Sequence, residues 1–392
     1  YEDAKPIADW LATTVAARTM PPFAAQETEE CTPPFGWRDD RRLADDELAT
    51  FVAWAAAGAP EGDAASPAPL PAPRDVSLSP VDLVLTPEVP YTAAGDEDEF
   101  RCFVFDPELT STGWLVGAQV NPGNAAVVHH ALVFSSHADD AAELDQRAAD
   151  GGGSFACGAG NPAPSGSELI AAWAPGAQPM RPPLGTGMLV EAGSRIVMQI
   201  HYHPAGGVAE PDATSISVQW ATDAPGNRSF MALLGNESEA PELQAGPNDG
   251  GEPRFFIPAG ARGHTETIVY ESVDTGGPDL AIWAAGTHMH WVGVDMKISL
   301  RSQDGTETCL VQTPRYDFNW QRWYDYDAPL LDVPVLHNGD ALVLRCTYDN
   351  SMDNPLVREA MFEEGRDAPV DVTLGEQTLD EMCLGVFGVA YR

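Results

Sequence analysis

Six of the nine histidines in this 392-residue chain fall in three tight clusters. His129-His130 lies inside an apolar run, His201-Tyr202-His203 ends one, and His288-Met289-His290 begins one. A lone histidine in a strand is usually a hydrogen-bonded core or surface residue. Three clusters in apolar strands point to metal, because burying that many imidazoles without a use is expensive. In an extended HxH segment both rings emerge on one face and can grip one ion. Adjacent histidines in a regular strand face opposite ways, so the 129–130 pair needs a bulge or an ion held at the strand end. Neutral imidazole suits copper and zinc, and a soft thioether selects copper(I). Zinc-hydrolase spacing fails, since Val292 and Gly293 stand where HxHxDH requires Asp and His, and no Glu follows His203 at cupin spacing. His137, His264 and His337 sit in polar contexts and read as ordinary loop histidines, with His264 the one to watch as a stray site residue.

The elements that must position these clusters are strands. From residue 76 onward, short runs rich in Val, Ile, Leu and Phe alternate with Gly, Pro, Asn and Asp. They include FRCFVF (100–105), AVVHHALVF (126–134), RIVMQIHYH (195–203), SISVQW (215–220), GVDMKISL (293–300), ALVLRCTY (341–348) and CLGVFGVAY (383–391). Strands at that spacing with Gly/Pro turns mean sandwiches or barrels. A break around 221–232 divides the region into 76–225 and 226–392, each of normal domain size. Residues 1–62 read as helical: Ile7, Trp10, Leu11 and Val15 recur at helical spacing, and a second helix runs from an Asp45 cap to Gly58. Residues 63–75 are a Pro/Ala linker.

Composition excludes several partners. With 59 Asp and Glu against 21 Lys and Arg the net charge is −38, which repels nucleic acid and anionic membrane surfaces. No apolar run approaches the roughly 20 residues of a membrane-spanning helix. Six cysteines without a CxxC permit disulfides and hint at an oxidising compartment. No signal peptide is visible, so a mature or trimmed periplasmic or secreted protein is expected.

The residues resemble those of the copper type II, ascorbate-dependent monooxygenases, the family of peptidylglycine α-hydroxylating monooxygenase and dopamine β-monooxygenase. The matching motifs are VVHHALVF (127–134), AAWAPGA (171–177), VMQIHYH (197–203), GTHMHWVG (286–293), LRC (344–346) and DEMC (380–383), in the family's order across roughly 80–392. The resemblance implies two tandem antiparallel, jelly-roll-like β-sandwiches facing each other over a solvent-filled cleft, with one copper ion in each. His129, His130 and His201 then match the ligands of an electron-donating copper, and His288, His290 and Met382 those of an oxygen-binding copper. Gln199 matches the glutamine of the family's QxH, and His203 falls outside the ligand set. By itself Met382, beside Cys383 at a strand start, could simply pack. The match also implies a Cys346–Cys383 disulfide; the other four cysteines cannot be paired from sequence, and Cys102 with Cys157 is a conjecture. The implied activity is hydroxylation of a C–H bond of a small organic substrate with O2 and an external reductant.

Two departures bear on substrate. Gly286 stands where peptide-amidating members place a carboxylate-binding arginine, and Val386 where they place a tyrosine, so the site is expected to be more apolar. Trp283, Trp291, Trp320 and Trp323 could line a pocket or pack in the core, and the aromatic run 316–327 could form a cleft loop. A second resemblance covers the N-terminus: RTMPPF and RLADDELATFVAWAAAGAPEGD look like the C-terminal part of a bacterial cytochrome c-like module, with Met20 at its haem ligand. Without CxxCH, haem c is not expected in this fragment, although a cytochrome c-like module could replace ascorbate as electron donor. Two rival readings are a non-catalytic copper-handling protein and an adhesion-type sandwich with structural zinc. A storage protein more often carries Met/His-rich repeats, and none occurs.

Overall fold

The computed structural model describes residues 1–63, 65–66, 77–93, 98–158, 163–203, 210–247, 249–375 and 379–392. Apart from residues 63, 65 and 66, the expected linker lies outside them. The chain is mainly β, built from antiparallel sheets with a few short helices. All seven apolar runs singled out above form strands, from Glu99–Phe105 to Leu384–Tyr391.

In the first half, a five-stranded sheet carries, in order, Ser154–Ala156, Glu99–Phe105, Ile196–Tyr202, Val128–Ser135 and Glu168–Trp173. It packs on a row formed by Leu83–Leu85, Ser215–Trp220, Gly113–Asn121 and Thr186–Val190, and the apolar faces meet in one core that includes Phe103, Val133, Val197, Leu115 and Val218. Every residue of Ile196–Tyr202 is buried, because this central strand is covered on both faces.

The second half repeats the arrangement. Asn227–Gly235, Leu384–Tyr391, Leu280–His288 and Trp323–Asp325 face a four-stranded sheet of Arg262–Tyr270, Ala341–Asp349, Gly293–Arg301 and Glu307–Thr313. Ile282, Val389, Ile298, Leu310 and Leu344 share its core. The two halves are continuous: Thr186 and Gly187 pair in parallel with Asn227 and Arg228, joining both rows, with Val335–Leu336 paired to Leu280–His288, into one nine-stranded sheet.

The N-terminal segment is less helical than its sequence suggests. Helices Ala8–Ala16 and Asp45–Ala56 form as expected, but the chain between them is largely non-helical and packs on the second half. Phe23, Ala25 and Trp37 enter the second core, and the Trp37 ring stacks on Tyr326 at 5.1 Å. Asp45 does not cap its helix. It is the first helical residue, while Ala44 is the cap, its N–H donating to Glu47 Oε2 at 2.9 Å. Met20 lies at the surface with 39% of its area exposed.

Three disulfides close the fold: Cys31–Cys309, Cys102–Cys157 and Cys346–Cys383. The first fastens the N-terminal segment to the second half, and such a framework fits an oxidising compartment. Among the described residues, no helix is long and apolar enough to cross a membrane.

Candidate metal centre

The bulge that adjacent histidines require is present. Val128 pairs with Tyr202 and His130 with His201, so His129 is the extra residue between them. One added residue turns the His129 ring to the same side as His130. The Nδ1 atoms of His129, His130 and His201 then form a near-equilateral triangle: 129 to 130 is 3.2 Å, 129 to 201 is 3.3 Å and 130 to 201 is 3.4 Å. A point equidistant from all three lies about 1.9 Å from each, close to a metal–imidazole bond of about 2.0 Å. The three nitrogens are therefore at chelating distance, and the donor set fits copper or zinc.

Neighbouring groups hold the rings. Phe100, cross-strand from His201, stacks on it at 4.3 Å. His201 Nε2 lies 3.2 Å from Asp98 Oδ2, in contact but off the line of an ideal hydrogen bond, and Asp98 Oδ1 reaches His203 Nδ1 at 2.5 Å. His203 is exposed and its ring stays 6.1 Å from that of His129. Gln199 is buried one layer away, donating to the Gly158 carbonyl beside Cys157, so it braces the sheet.

The second cluster ends a strand rather than beginning one. His288 is the last residue of Leu280–His288, and His290 lies in the turn before Gly293. Their ring centroids are 5.4 Å apart and nearly perpendicular. His288 Nδ1 lies 2.9 Å from Gln321 Oε1, and His290 Nδ1 lies 3.1 Å from the Asp380 carbonyl. The Gln321 amide is oriented by its N–H2 donating to the Phe318 carbonyl at 3.0 Å. Both partners of Nδ1 are thus acceptors, so each Nδ1 carries the proton and each Nε2 keeps its lone pair.

Met382 is joined to this turn through Glu381. A single carboxylate oxygen of Glu381 accepts from the backbone N–H of His290 at 2.8 Å and of Met382 at 2.9 Å. Tyr348 O–H donates to the Met382 carbonyl at 2.9 Å, and Cys383 is pinned by its disulfide to Cys346. Burial pushes the Glu381 carboxyl up to about 8, against four backbone N–H donors that favour its charged form. Glu381 was not singled out in sequence, although it lies inside DEMC.

The aromatic run connects the clusters. Where a solvent-filled cleft is implied by the resemblance, the Phe318 ring lies between them, stacked on His129 at 5.3 Å and edge-on to His290 at 5.9 Å. The four tryptophans divide: Trp283 is core, donating to Ser229 Oγ at 3.0 Å, Trp320 is exposed, Trp291 is half-buried, and Trp323 lines a cavity beside His288. Gly286 has no room for a longer side chain, since a Cβ would come within 2.8 Å of Trp323 Cα on the paired strand. His264 departs from expectation. It lies buried in Arg262–Tyr270 with Nε2 2.7 Å from Glu266 Oε1, whereas His137 and His337 are exposed beside Glu191 and Asp279.

Burial lowers His129 to about 4, with the neighbouring His201 adding to the effect, lowers His288 to about 3, and holds His130 well below its ordinary value. Unfolded imidazoles bind protons near pH 6.5, and the folded ones resist until lower pH. Each folded pKa is below its unfolded value, so this contribution is intact above about pH 6.5 and is lost as pH falls through about 4 and 3. Metal-free protein should therefore show a urea midpoint that drops across that window, and His129→Ala/His288→Ala should flatten the drop. An equally steep drop in the double variant would contradict the assignment.

No sequence profile of a known family matches the chain. No curated protein matches it either. Among solved structures it is similar to PNGase F, a glycosylasparaginase from Flavobacterium meningosepticum, at 9% identity and a TM-score of 0.30, over 79% of this chain and 96% of that one. A peptide-N(4)-(N-acetyl-β-D-glucosaminyl) asparagine amidase follows at 8% identity and a TM-score of 0.28, over 79% and 96% of the chains. Infectious bursal virus T=1 particles give 11% and 0.19, over 79% and 76%. Likenesses this faint carry no functional argument.

Proposed function

We propose that this chain is a copper-dependent monooxygenase that holds two copper ions and hydroxylates a C–H bond of a small organic molecule. The observation that carries the reading is the convergence of three Nδ1 atoms at chelating distance, one phenyl ring from a second histidine pair joined to Met382. Copper, when bound, supplies one-electron chemistry with O2, the thioether favouring copper(I). In the overall balance one oxygen atom enters the C–H bond and the other leaves as water. The two electrons and two protons this requires come from an external donor of the ascorbate or cytochrome c class.

The chain's residues prepare both sets. His129, His130 and His201 present their Nδ1 atoms together without a conformational search, because the bulge and the Phe100 stack hold the rings in place. Gln321 and the Asp380 carbonyl fix the Nδ1–H tautomers of His288 and His290, leaving both Nε2 atoms to ligate. Substrate held beside His288 would present its C–H bond there, a positioning effect. The disulfides support an exported protein, periplasmic or secreted.

Copper stoichiometry combined with reductant-dependent O2 uptake tests the proposal. Two coppers per chain and uptake are expected; one copper or none breaks it. Two coppers without uptake across a substrate screen would leave the copper-handling reading instead. Asp98→Asn should weaken metal binding at the His129/His130/His201 set roughly 10–100-fold, as for other carboxylates behind a ligating histidine. Chelator competition measures this, and an unchanged affinity would restrict Asp98 to holding His203.

A further inference from the structure

A cavity of about 130 Å³ lies between the two halves, and both His130 and His288 line it. Its walls follow from strand geometry. Leu132 is two residues beyond His130 on one strand, so both face the same side. Leu384 pairs across the sheet with His288, and Val386 with Gly286, so these four residues form one patch of the opposite half. Gly286 contributes no side chain there, and the backbone of Trp323 stands against it. Trp173 and Trp323 add aromatic surface.

Two of the polar groups around this space, Gln321 and Thr287, are already engaged. Gln321 uses its oxygen on His288 and its nitrogen on Phe318, and the Thr287 hydroxyl is bonded to that of Thr313 at 3.0 Å. The Arg322 guanidinium lies 5.2 Å from the ring centres of both Phe23 and Tyr324, held toward the N-terminal segment. Among the described lining residues Arg322 is the only Lys, Arg, Asp or Glu, its guanidinium is drawn onto those two rings, and the rest of the lining is largely apolar. An apolar cavity of about 150 Å³ admits benzene, which sets the scale of an occupant.

We propose that this cavity is the substrate pocket, and that it takes a neutral, apolar molecule no larger than one substituted ring or a short branched alkyl chain. Its role as substrate pocket rests on the monooxygenase reading, whereas its selectivity is a property of the protein alone. Binding is therefore measured on metal-free protein by calorimetry with toluene, benzoate and benzylamine. Toluene should bind saturably and at least ten-fold more tightly than either charged ring. Tighter binding of benzoate or benzylamine, or no binding of any of the three, overturns the proposal. Val386→Trp should fill the space and abolish toluene binding, and retained binding by a folded variant overturns it too. If that variant does not fold, Leu132→Ala decides: by enlarging the cavity it should raise the preference for naphthalene over toluene at least ten-fold, and an unchanged ratio refutes the assignment. Copper stoichiometry is measured separately, so loss of the metal reading is distinguishable from loss of this one.

Discussion

Met382→Leu is expected to abolish reductant-dependent turnover while leaving copper at the His129/His130/His201 set. Leucine has nearly the volume of methionine, so packing around this buried position should change by less than about 1.5 kcal/mol. What disappears is the thioether, the only soft donor in either set and the one that favours copper(I). The backbone on both sides keeps its supports: the Glu381 carboxylate, the Tyr348 hydroxyl and the Cys346–Cys383 bond do not involve the side chain. The expected result is one tightly held copper per chain, an unchanged unfolding midpoint and no O2 uptake. Loss of both coppers together would contradict two separable sets, and full activity would remove Met382 from the site.

Glu381→Ala should have the largest effect on stability in the second half. Its fully buried carboxylate receives the backbone N–H groups of His290 and Met382, and those of Val292 and Gly293 also point to it. A buried donor left without an acceptor costs about 1–3 kcal/mol, so losing this group should cost about 3–5 kcal/mol after partial relaxation. The 288–293 turn and Met382 would also lose their common anchor, so the second copper should go with the stability. The first set, held by the Val128–Ser135 and Ile196–Tyr202 strands, should still load. Denaturant titration and copper analysis of one preparation test both halves of this expectation. Glu381→Gln, which keeps one acceptor oxygen, should recover much of the lost stability. Equal loss in both variants would mean that charge, rather than acceptor geometry, holds the turn.

Much of this architecture was legible in the residues. Alternating apolar runs punctuated by Gly and Pro identify strands because burial on a pleated sheet imposes a period of two, and that pattern is local. That the His129–His130 pair needs a bulge or an ion held at the strand end was legible for the same reason, and folding chose the bulge. Other features were not local. The HMH segment ends a strand instead of opening one because its first histidine completes the pairing of Leu280–His288 with Leu384. His264 read as a loop histidine, but its buried partner Glu266 follows two residues later on the same face, a spacing that could have found it. Phe318 and Gln321 lie in the aromatic run 316–327 that read as a candidate cleft loop, but Asp98 and Glu381 matter through neighbours brought to them by folding.

By itself, then, the sequence determined the kinds of candidate donor and the strands that carry most of them: five imidazoles and a thioether in a strongly acidic chain. The tertiary structure alone decided which nitrogen each ring presents. The Nδ1 atoms of the first set converge beside the bulge, and in the second Gln321 and the Asp380 carbonyl take the Nδ1–H of His288 and His290, so Nε2 is the nitrogen that would ligate. It also decided that the two histidine sets stand one phenyl ring apart, beside a largely apolar cavity. Ligand type is a property of residues, whereas ligand direction and separation depend on contacts between segments more than 70 residues apart in the chain.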